Sequence, residues 1–360
     1  MNDLLHIASH FLIKGIPVSV KPLGDGLIND TYKVTTAGED TPDYVLQRIN
    51  TDIFTDVDML QRNIIGVTGH IRRKLREAGE TDLSRKTLTV VMADDGKAYR
   101  REGGSCWRMT VFIPRARTFD TVDTAHSYSA GTAFGRFEAM LADIGEMPGD
   151  IIPDFHNMEL RLRQLDDAVT NDAAGRVSGV RDLLGELERR AFEMCEAERL
   201  HREGVLPKRV CHCDTKVNNI MFDEDGSVLC VIDLDTVMPG FVFSDYGDFL
   251  RSAANTGLED DPDPGNVSFD MDIFRAFTRG YIAEARSFLL PAETSRLPYA
   301  AALFPYMQCV RFLTDYINGD TYYKTRYEEH NLVRARAQFR LLQSAEEHAG
   351  EMRAFVESCL

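Results

Sequence analysis

The sequence of 360 residues has no excess of basic side chains, since 41 lysines and arginines stand against 57 aspartates and glutamates, a formal charge of −16. A nucleic-acid binder needs basic groups to neutralise phosphates, and an anionic membrane surface attracts basic segments. The charge balance therefore argues against both partners. No apolar run approaches the length of about 20 residues that a membrane helix needs, and the N-terminus lacks the basic and apolar regions of a secretory signal.

Disulfide and zinc frameworks are also missing. The seven cysteines, an odd number, are scattered along the chain, which is typical of a protein of the reducing cytoplasm. Cys211, His212 and Cys213 lie close together, but they have neither the spacing nor the partner pair of a structural zinc site. We interpret both of these cysteines as small apolar packing residues.

The patterns that are present divide the chain into two parts. After an N-terminal helix, short strand-like segments with turn residues between them dominate the first part, at 18–23, 31–35, 44–49, 87–92 and 106–113, with one helical stretch at 56–78. Helical patterns dominate the second part, at 130–141, 180–203, 268–289 (capped by Ser268), 296–317 and 328–360, with a strand-rich insert at 209–235. We therefore predict an α+β fold with two domains, 1–114 and 115–360.

The segment from His212 to Asn219 fits the pattern H-x-D-x-K-x-x-N of a kinase catalytic loop, and an apolar strand that ends in Asp233 follows it. Phosphoryl transfer needs a carboxylate to orient a hydroxyl and accept its proton, and oxygen ligands for Mg²⁺. Asp214 is predicted to take the first role, and Asn219 and Asp233 the second. Lys216 is predicted to point a positive charge at the transferring phosphoryl group.

A glycine-containing hairpin is a candidate nucleotide clamp. The strand at 18–23 runs into Gly24, Asp25 and Gly26, and the chain returns after Asn29. Glycines allow a hairpin tip to lie close to phosphates and to donate backbone N–H groups to them. The hairpin has neither the lysine of a P-loop nor the following helix of a dinucleotide-binding unit, so neither of those patterns fits.

On these motifs the chain resembles the aminoglycoside phosphotransferase and choline kinase superfamily, and within it most closely the N-acetylhexosamine 1-kinases. The resemblance covers nearly the whole chain. The segments that carry it are 24–26, 44–48, the hinge at 112–114, 212–220, 232–240, 311–316 and 329–334.

The resemblance implies a bilobal protein-kinase-like fold, with a small mixed β-sheet lobe that clamps the nucleotide and a larger, mainly helical lobe that carries the acceptor pocket. It further implies a cytoplasmic enzyme of carbohydrate metabolism that uses ATP and Mg²⁺. The acceptor would be the anomeric hydroxyl of N-acetylglucosamine or N-acetylgalactosamine, and the product the sugar 1-phosphate. Gln47 and Phe112 would contact the nucleotide, and Asp214, Arg311 and Tyr322 would hold the sugar. An alternative for Arg311 is a salt bridge to Asp315, one helical turn away.

The sequence departs from the family pattern at two positions. Gln47 stands where a kinase has the third-strand lysine that binds the α- and β-phosphates, so Gln47, Arg48 or Mg²⁺ itself must take over its task. Residues 47 and 48 face opposite sides of a strand, so Arg48 would need a bulge to reach. Leu27 replaces a polar hairpin residue, which bears on the substrate range.

Three other functions compete with the sugar kinase. A kinase of the same fold could act on another small alcohol, such as an aminoglycoside or a choline- or homoserine-like compound. A nucleotide-binding pseudokinase scaffold would fit the missing lysine, although the complete set of Asp214, Asn219 and Asp233 argues against it. A metal-dependent hydrolase would need more histidine and carboxylate ligands than the sequence assembles.

Overall fold

Residues 2–24, 28–120 and 122–360 are described by a computed structural model of the chain. The chain divides into two compact units. The first comprises Met1–Thr118, Asp143–Ile152 and Asn219–Met238. The second comprises Phe119–Ala142, Pro153–Asn218 and Pro239–Leu360. Each unit is assembled from several stretches of the sequence. The single boundary after residue 114 stays a prediction.

The strands are β1 (Ile16–Pro22), β2 (Asp30–Ala37), β3 (Tyr44–Ile49), β4 (Val90–Val91), β5 (Arg100–Glu102), β6 (Ser105–Val111), β7 (Ala116–Arg117), β8 (Arg209–Cys211), β9 (Ile220–Asp223), β10 (Val228–Val231) and β11 (Met238–Gly240). The helices are α1 (Asn2–Ser9), α2 (Val57–Glu77), α3 (Leu83–Lys86), α4 (Thr124–Leu141), α5 (Met158–Asn171), α6 (Arg181–Met194), α7 (Glu196–Arg202), α8 (Val242–Ala253), α9 (Met271–Ala285), α10 (Pro291–Thr294), α11 (Leu297–Ile317), α12 (His330–Glu347) and α13 (Ala349–Cys359). Among the described residues, none of these helices combines the length and apolarity needed to cross a membrane.

An antiparallel sheet dominates the first unit. Its strands lie in the order β1-β2-β3-β6-β4, and β5 adds to β6. One face packs against α1 and the residues after it, in a core that includes Ile7, Phe11, Leu46 and Trp107. Strand residues alternate between faces, so the neighbours of these core residues, Gln47 and Arg108 among them, belong to the other face.

A second, three-stranded sheet completes the first unit, with the order β10-β9-β7. The β9–β10 hairpin comes from much later in the chain than the large sheet. Its register pairs Val231 with Ile220, so Asn219 and Asp233, which flank these strands, meet at one end of the hairpin.

Helices form the second unit. α4 and α9 pack very closely, because two glycines remove the side chains from their contact: a Cβ on Gly131 would lie 2.1 Å from the Phe277 carbonyl oxygen, and a Cβ on Gly280 would lie 2.2 Å from that of Tyr128. α11 is buried along most of its length in a core that it shares with α5, α6 and α12. The short strand β8 leads into the predicted catalytic loop.

Several predicted elements differ from the observed ones. The helix predicted at 180–203 is broken at Cys195, and the one at 328–360 is broken at His348. Neither break carries a proline or glycine that would mark it in the sequence. α9 begins after Asp270, whose carboxylate accepts bonds from the backbone N–H groups of Asp272 and Ile273, so the cap is Asp270 rather than Ser268. Of the predicted strand at 87–92, only Val90–Val91 forms.

Candidate active site

The loop after β8 is held by a buried carboxylate on α8. The two oxygens of Asp245 accept bonds from the backbone N–H groups of His212 and Cys213, both at 2.7 Å, and its backbone carbonyl accepts one from the Thr215 hydroxyl at 2.7 Å. Cys213 adopts a left-handed conformation with φ 63°, which is uncommon for a residue with a side chain. The loop that presents Asp214 is therefore fixed by hydrogen bonds to its backbone.

Asp214 and Lys216 form a direct pair within this loop. The Lys216 Nζ donates to Asp214 Oδ2 at 2.9 Å, and both side chains are about one-third exposed. The Asp214 backbone N–H donates to His212 Nδ1 at 3.3 Å. The His212 ring is buried between the edges of Phe134 and Phe137. The side chains predicted to accept the proton and to carry the positive charge thus lie together.

A second buried carboxyl group lies beneath Asp245. Glu138 on α4 accepts a hydrogen bond from the Tyr281 hydroxyl through Oε2, whereas its Oε1 has no donor. Ligand atoms of Glu138, Cys211 and Asp245 lie within 4.8 Å of one another. Burial, and then the charge of Asp245, raise the pKa of Glu138 well above its ordinary value. A protonated Glu138 removes the repulsion between the two carboxyl groups and gives Oε1 a proton to donate.

Asp248, one turn further along α8, is also perturbed. Burial raises its pKa to about 6, a shift that Arg251 opposes and the charge of Asp214 reinforces. Arg251 donates to Asp248 and to Glu259. The charge of Asp214 is therefore close enough to favour the protonated form of Asp248.

The two predicted metal ligands lie together in the first unit. The Asn219 carbonyl accepts a hydrogen bond from the Ile232 N–H at 2.9 Å, which places Asp233 next to the Asn219 end of the β9–β10 hairpin. Asp233 has a left-handed conformation with φ 59° and precedes a 3-10 turn over Leu234–Thr236. An amide and a carboxylate are oxygen ligands of the type Mg²⁺ prefers, so the donor set fits this ion.

Asp235, in the turn after Asp233, forms a buried ion pair that the sequence analysis missed. Its two oxygens accept bonds from both Nη atoms of Arg108, and Oδ2 also accepts a bond from Asn29 Nδ2 at 2.6 Å. Arg108 is 5% exposed and Asp235 is 4% exposed. A signal was present in the sequence, because Arg108 is the one charged residue of the strand Ser105–Val111.

Gln47 is the cross-strand partner of Arg108. The Arg108 Nε donates to Gln47 Oε1 at 2.9 Å, and Gln47 Nε2 donates to the Thr31 hydroxyl at 3.1 Å. Arg48 instead pairs with Asp30, with its Nε 2.7 Å from Oδ2, and its side chain is 51% exposed. The guanidinium beside the third-strand position therefore comes from Arg108 on the neighbouring strand.

The other predicted nucleotide contacts are partly outside the described residues. Asp25, Gly26 and Leu27 are among those not described, whereas Gly24 is left-handed with φ 71°. Asn29 is buried, and its Oδ1 accepts a bond from the Asn50 N–H at 2.9 Å. The Phe112 N–H donates to a main-chain carbonyl, and its ring carries the Lys33 ammonium at 4.1 Å.

Arg311 lies among aromatic side chains and forms no ion pair within the described part of the chain. Its Nη1 donates to Gln308 Oε1 at 3.2 Å, and its guanidinium lies 5.8 Å from the Phe155 ring and 5.7 Å from the Tyr323 ring. The alternative partner, Asp315, accepts bonds from the backbone N–H groups of residues 321–323 instead. Asp315 thereby shapes the loop that carries Tyr322, whose side chain is 74% exposed.

Two further residues beside Arg311 were not predicted. Arg161 on α5 donates to the Phe155 carbonyl at 2.6 Å, and its Nε is buried without a partner. The half-buried His156 also has a buried Nδ1 without a partner. Burial and the charge of Arg311 lower the pKa of both groups, that of His156 well below its ordinary value. The cluster of Arg311, Arg161 and His156 therefore places two positive charges together with no carboxylate paired to either in the described structure.

A profile of the phosphotransferase enzyme family matches residues 19–284. The chain belongs to this family. The matched stretch contains the glycine hairpin, the catalytic loop with Asp214, and the hairpin that ends in Asp233. It ends before Arg311 and Tyr322, so the two predicted sugar contacts lie outside the part that defines the family.

Solved structures show the same fold. An aminoglycoside phosphotransferase from Alicyclobacillus acidocaldarius is 14% identical with a TM-score of 0.61, over 98% of this chain and 96% of that one. The amicoumacin kinase hAmiN, in complex with AMP-PNP, Ca2+ and Ami, is 16% identical with a TM-score of 0.60, over 94% and 92%. A choline/ethanolamine kinase family protein from Mesorhizobium loti is 16% identical with a TM-score of 0.55, over 94% and 93%.

The predicted α+β, protein-kinase-like fold is confirmed by these similarities. As a member of the phosphotransferase enzyme family, the chain contains in its own residues a carboxylate paired with a lysine, and an amide and a carboxylate suited to a divalent cation. These are the groups that phosphoryl transfer requires.

Proposed function

We propose that the protein is an ATP- and Mg²⁺-dependent kinase that phosphorylates the anomeric hydroxyl of an N-acetylhexosamine. The observation that carries the proposal is the pairing of Asp214 with Lys216 on a loop whose backbone is fixed by Asp245. A scaffold protein has no need to hold such a pair in one conformation. The family membership supports phosphotransfer, and the resemblance of the sequence to N-acetylhexosamine 1-kinases supports the sugar.

In the proposed reaction, Asp214 binds the acceptor hydroxyl and accepts its proton while the oxygen attacks the γ-phosphorus of ATP in line. The bond from the γ-phosphorus to the bridging oxygen breaks, and ADP leaves with that oxygen. Lys216 places its charge near the transferring group. Asn219 and Asp233 would hold Mg²⁺, which when bound neutralises charge on the phosphate oxygens. Since little covalent chemistry falls to the protein, positioning and electrostatic stabilisation supply most of the rate.

The acceptor class is inferred from the cluster of Arg311, Arg161 and His156. Two guanidinium groups close together repel a cationic acceptor and donate hydrogen bonds to neutral or anionic oxygens. These features favour an N-acetylated sugar over a choline-like or aminoglycoside acceptor.

A kinase of another small alcohol remains the second candidate, because one similar structure is an aminoglycoside phosphotransferase and another a choline/ethanolamine kinase family protein. The net charge of −16 would also attract a cation from a distance. Local charge at the acceptor outweighs this long-range effect, since salt screens distant charges.

An acceptor panel tests the proposal. ATP consumption with Mg²⁺ is measured for N-acetylglucosamine, N-acetylgalactosamine, glucose, galactose, choline, homoserine and kanamycin, with phosphorus NMR of any product. Formation of a 1-phosphate from the N-acetylated sugars is the expected result. Turnover of choline, homoserine or kanamycin alone would refute the sugar assignment, and ATP binding without any turnover would favour the scaffold.

The same assay tests the place of Arg311 in the acceptor site. Arg311→Ala is expected to raise the acceptor KM far more than the ATP KM. Arg279→Ala is a matched control, because Arg279 also lies over an aromatic ring, 5.6 Å from that of Phe355, on another helix. Equal increases in the acceptor KM and the ATP KM would contradict the assignment of Arg311 to the acceptor site.

A further inference from the structure

The third-strand position of this kinase-like sheet carries no positive charge of its own, since Gln47 occupies it. The register of β3 and β6 pairs Gln47 with Arg108, and the Arg108 Nε donates to the Gln47 side chain at 2.9 Å. The guanidinium therefore lies directly beside the position where a kinase lysine would begin. Its side chain is buried and directed at the turn that follows Asp233.

We propose that Arg108, which lies beside the position of the third-strand lysine, is a positioning residue: it binds Asp235 through both Nη atoms and so fixes the turn that presents Asp233 to the metal–nucleotide complex. This inference rests on the proposed kinase function. In this arrangement each of the three Arg108 nitrogens donates to Asp235 or Gln47, so we assign Arg108 to the turn rather than to the phosphates. It acts on the nucleotide through Asp235 and Asp233.

The turn is held at each of its parts by a different contact. The Ile232 N–H donates to Asn219 before the turn, and Asn63 of α2 donates to the Val237 carbonyl at 3.1 Å after it. Between them, Asp235 is held by Arg108 and Asn29. Asp233 has a left-handed backbone with φ 59°, which aspartate adopts more readily than most residues with a side chain.

The burial of the pair argues for a positional role. A buried ion pair contributes little net stability, because the cost of removing two charges from water offsets their attraction. A pair of apolar residues would fill the same space. What the ion pair supplies is geometry, since a guanidinium fork donates two parallel hydrogen bonds to a carboxylate in one plane.

Two variants test this inference, and both keep the Asn29 contact. Asp235→Asn removes one charge, and Arg108→Met combined with Asp235→Asn removes both and leaves no buried ion unpaired. Binding of Mg²⁺ with AMP-PNP is measured by titration calorimetry, together with the thermal midpoint and the acceptor KM. The double variant is expected to keep a midpoint near that of the parent but to bind the metal–nucleotide complex about tenfold more weakly, with an unchanged acceptor KM.

Asp223→Asn is the matched control, because Asp223 also accepts two bonds from an arginine, Arg85, at 3.0 and 2.7 Å. It lies at the opposite end of the β9–β10 hairpin from Asp233, and Arg85 keeps its bonds to main-chain carbonyls. This variant is expected to bind Mg²⁺ and AMP-PNP like the parent.

Three outcomes would overturn the inference. If the folded double variant bound Mg²⁺ with AMP-PNP as tightly as the parent does, the ion pair would have only a structural role. An equal loss of affinity in Asp223→Asn would show a general effect of destabilising the unit. If the unaltered protein bound no Mg²⁺ and AMP-PNP, the proposed function itself would fail, and the inference with it. If the unaltered protein bound them and the double variant bound them equally well, only the inference would fail.

Discussion

The loop with Asp214 is held by a carboxylate that accepts backbone N–H bonds, whereas the turn after Asp233 is held by an ion pair between side chains. Asp245 contacts the backbone of His212 and Cys213. Asp235 instead binds the guanidinium of Arg108. Both segments contain a left-handed residue, Cys213 in the first and Asp233 in the second.

The difference lies in how each buried negative charge is balanced. A buried carboxylate must be compensated by hydrogen bonds, a proton or an opposite charge. Asp235 has a guanidinium, which keeps its charge throughout the physiological range. Asp245 has amides and a neighbouring Glu138 whose pKa is raised, so a proton completes its surroundings. The first segment can therefore respond to pH, while the second cannot in the same way.

The largest effect is expected from a change to Asp214, which the loop held by Asp245 presents. Asp214→Asn should lower kcat about a thousandfold, because an amide can bind the hydroxyl but cannot accept its proton. Binding of Mg²⁺ and AMP-PNP should be unchanged. Steady-state kinetics and calorimetry measure the two quantities, with Asp167→Asn on the surface of α5 as control. A near-normal kcat in this variant would show that Asp214 does not accept the proton in the reaction.

The next largest effect is expected from a change to Asp233, which precedes the turn held by Asp235. Asp233→Asn should weaken Mg²⁺-dependent nucleotide binding at least about a hundredfold, since replacing a charged metal ligand by a neutral amide oxygen costs more than losing a neighbour of a ligand. Asparagine tolerates the left-handed backbone, so strain does not confuse the result. Nucleotide titrations with and without Mg²⁺ measure the change. An unaltered metal requirement would contradict the assignment.

The parts of the site that could be predicted are contiguous in sequence. Asp214, Lys216 and Asn219 belong to one eight-residue pattern, and Asp233 ends a recognisable strand. The residues around the carboxylates that hold these segments are distant in sequence: Arg108 binds Asp235, and Glu138 lies within 4.8 Å of Asp245. No local period links such pairs, so only the folded chain brings them together.

Local signals also explain the errors in the predicted elements. The sequence does not predict α8, because its Gly247 is a poor helix former, although this helix supplies Asp245. Gly247 is needed there, because a Cβ would lie 2.5 Å from the Ala300 carbonyl oxygen. Arg311 and Asp315 have the spacing of a helical ion pair, yet the loop at 321–323 folds back and takes the Asp315 carboxylate.

Removing the carboxylate of Asp245 tests how firmly backbone contacts hold the first segment. Asp245→Asn should lower the free energy of unfolding by about 2–3 kcal/mol, because one of two buried N–H groups then faces an NH₂ group. Chemical denaturation measures this loss. Asp248→Asn on the same helix is the matched control and should cost less, since the pKa of Asp248 is raised to about 6 and it holds no loop backbone. Equal losses would show that the loop contacts of Asp245 contribute nothing.

The smallest effect is expected from Glu138→Gln, which replaces the protonated carboxyl group of Glu138 by an amide and is measured as the free energy of unfolding. Glu138→Gln puts an NH₂ group where a protonated Glu138 has its hydroxyl, so at acidic pH the free energy of unfolding should change by less than about 1 kcal/mol. Because the folded state raises the pKa of Glu138 above its value of 4.5 in the unfolded chain, the parent loses stability as pH rises above that value. The glutamine variant has no such titration. Denaturation from acidic to neutral pH should therefore show it becoming the more stable protein, whereas an ionised Glu138 in the fold would make it the less stable one.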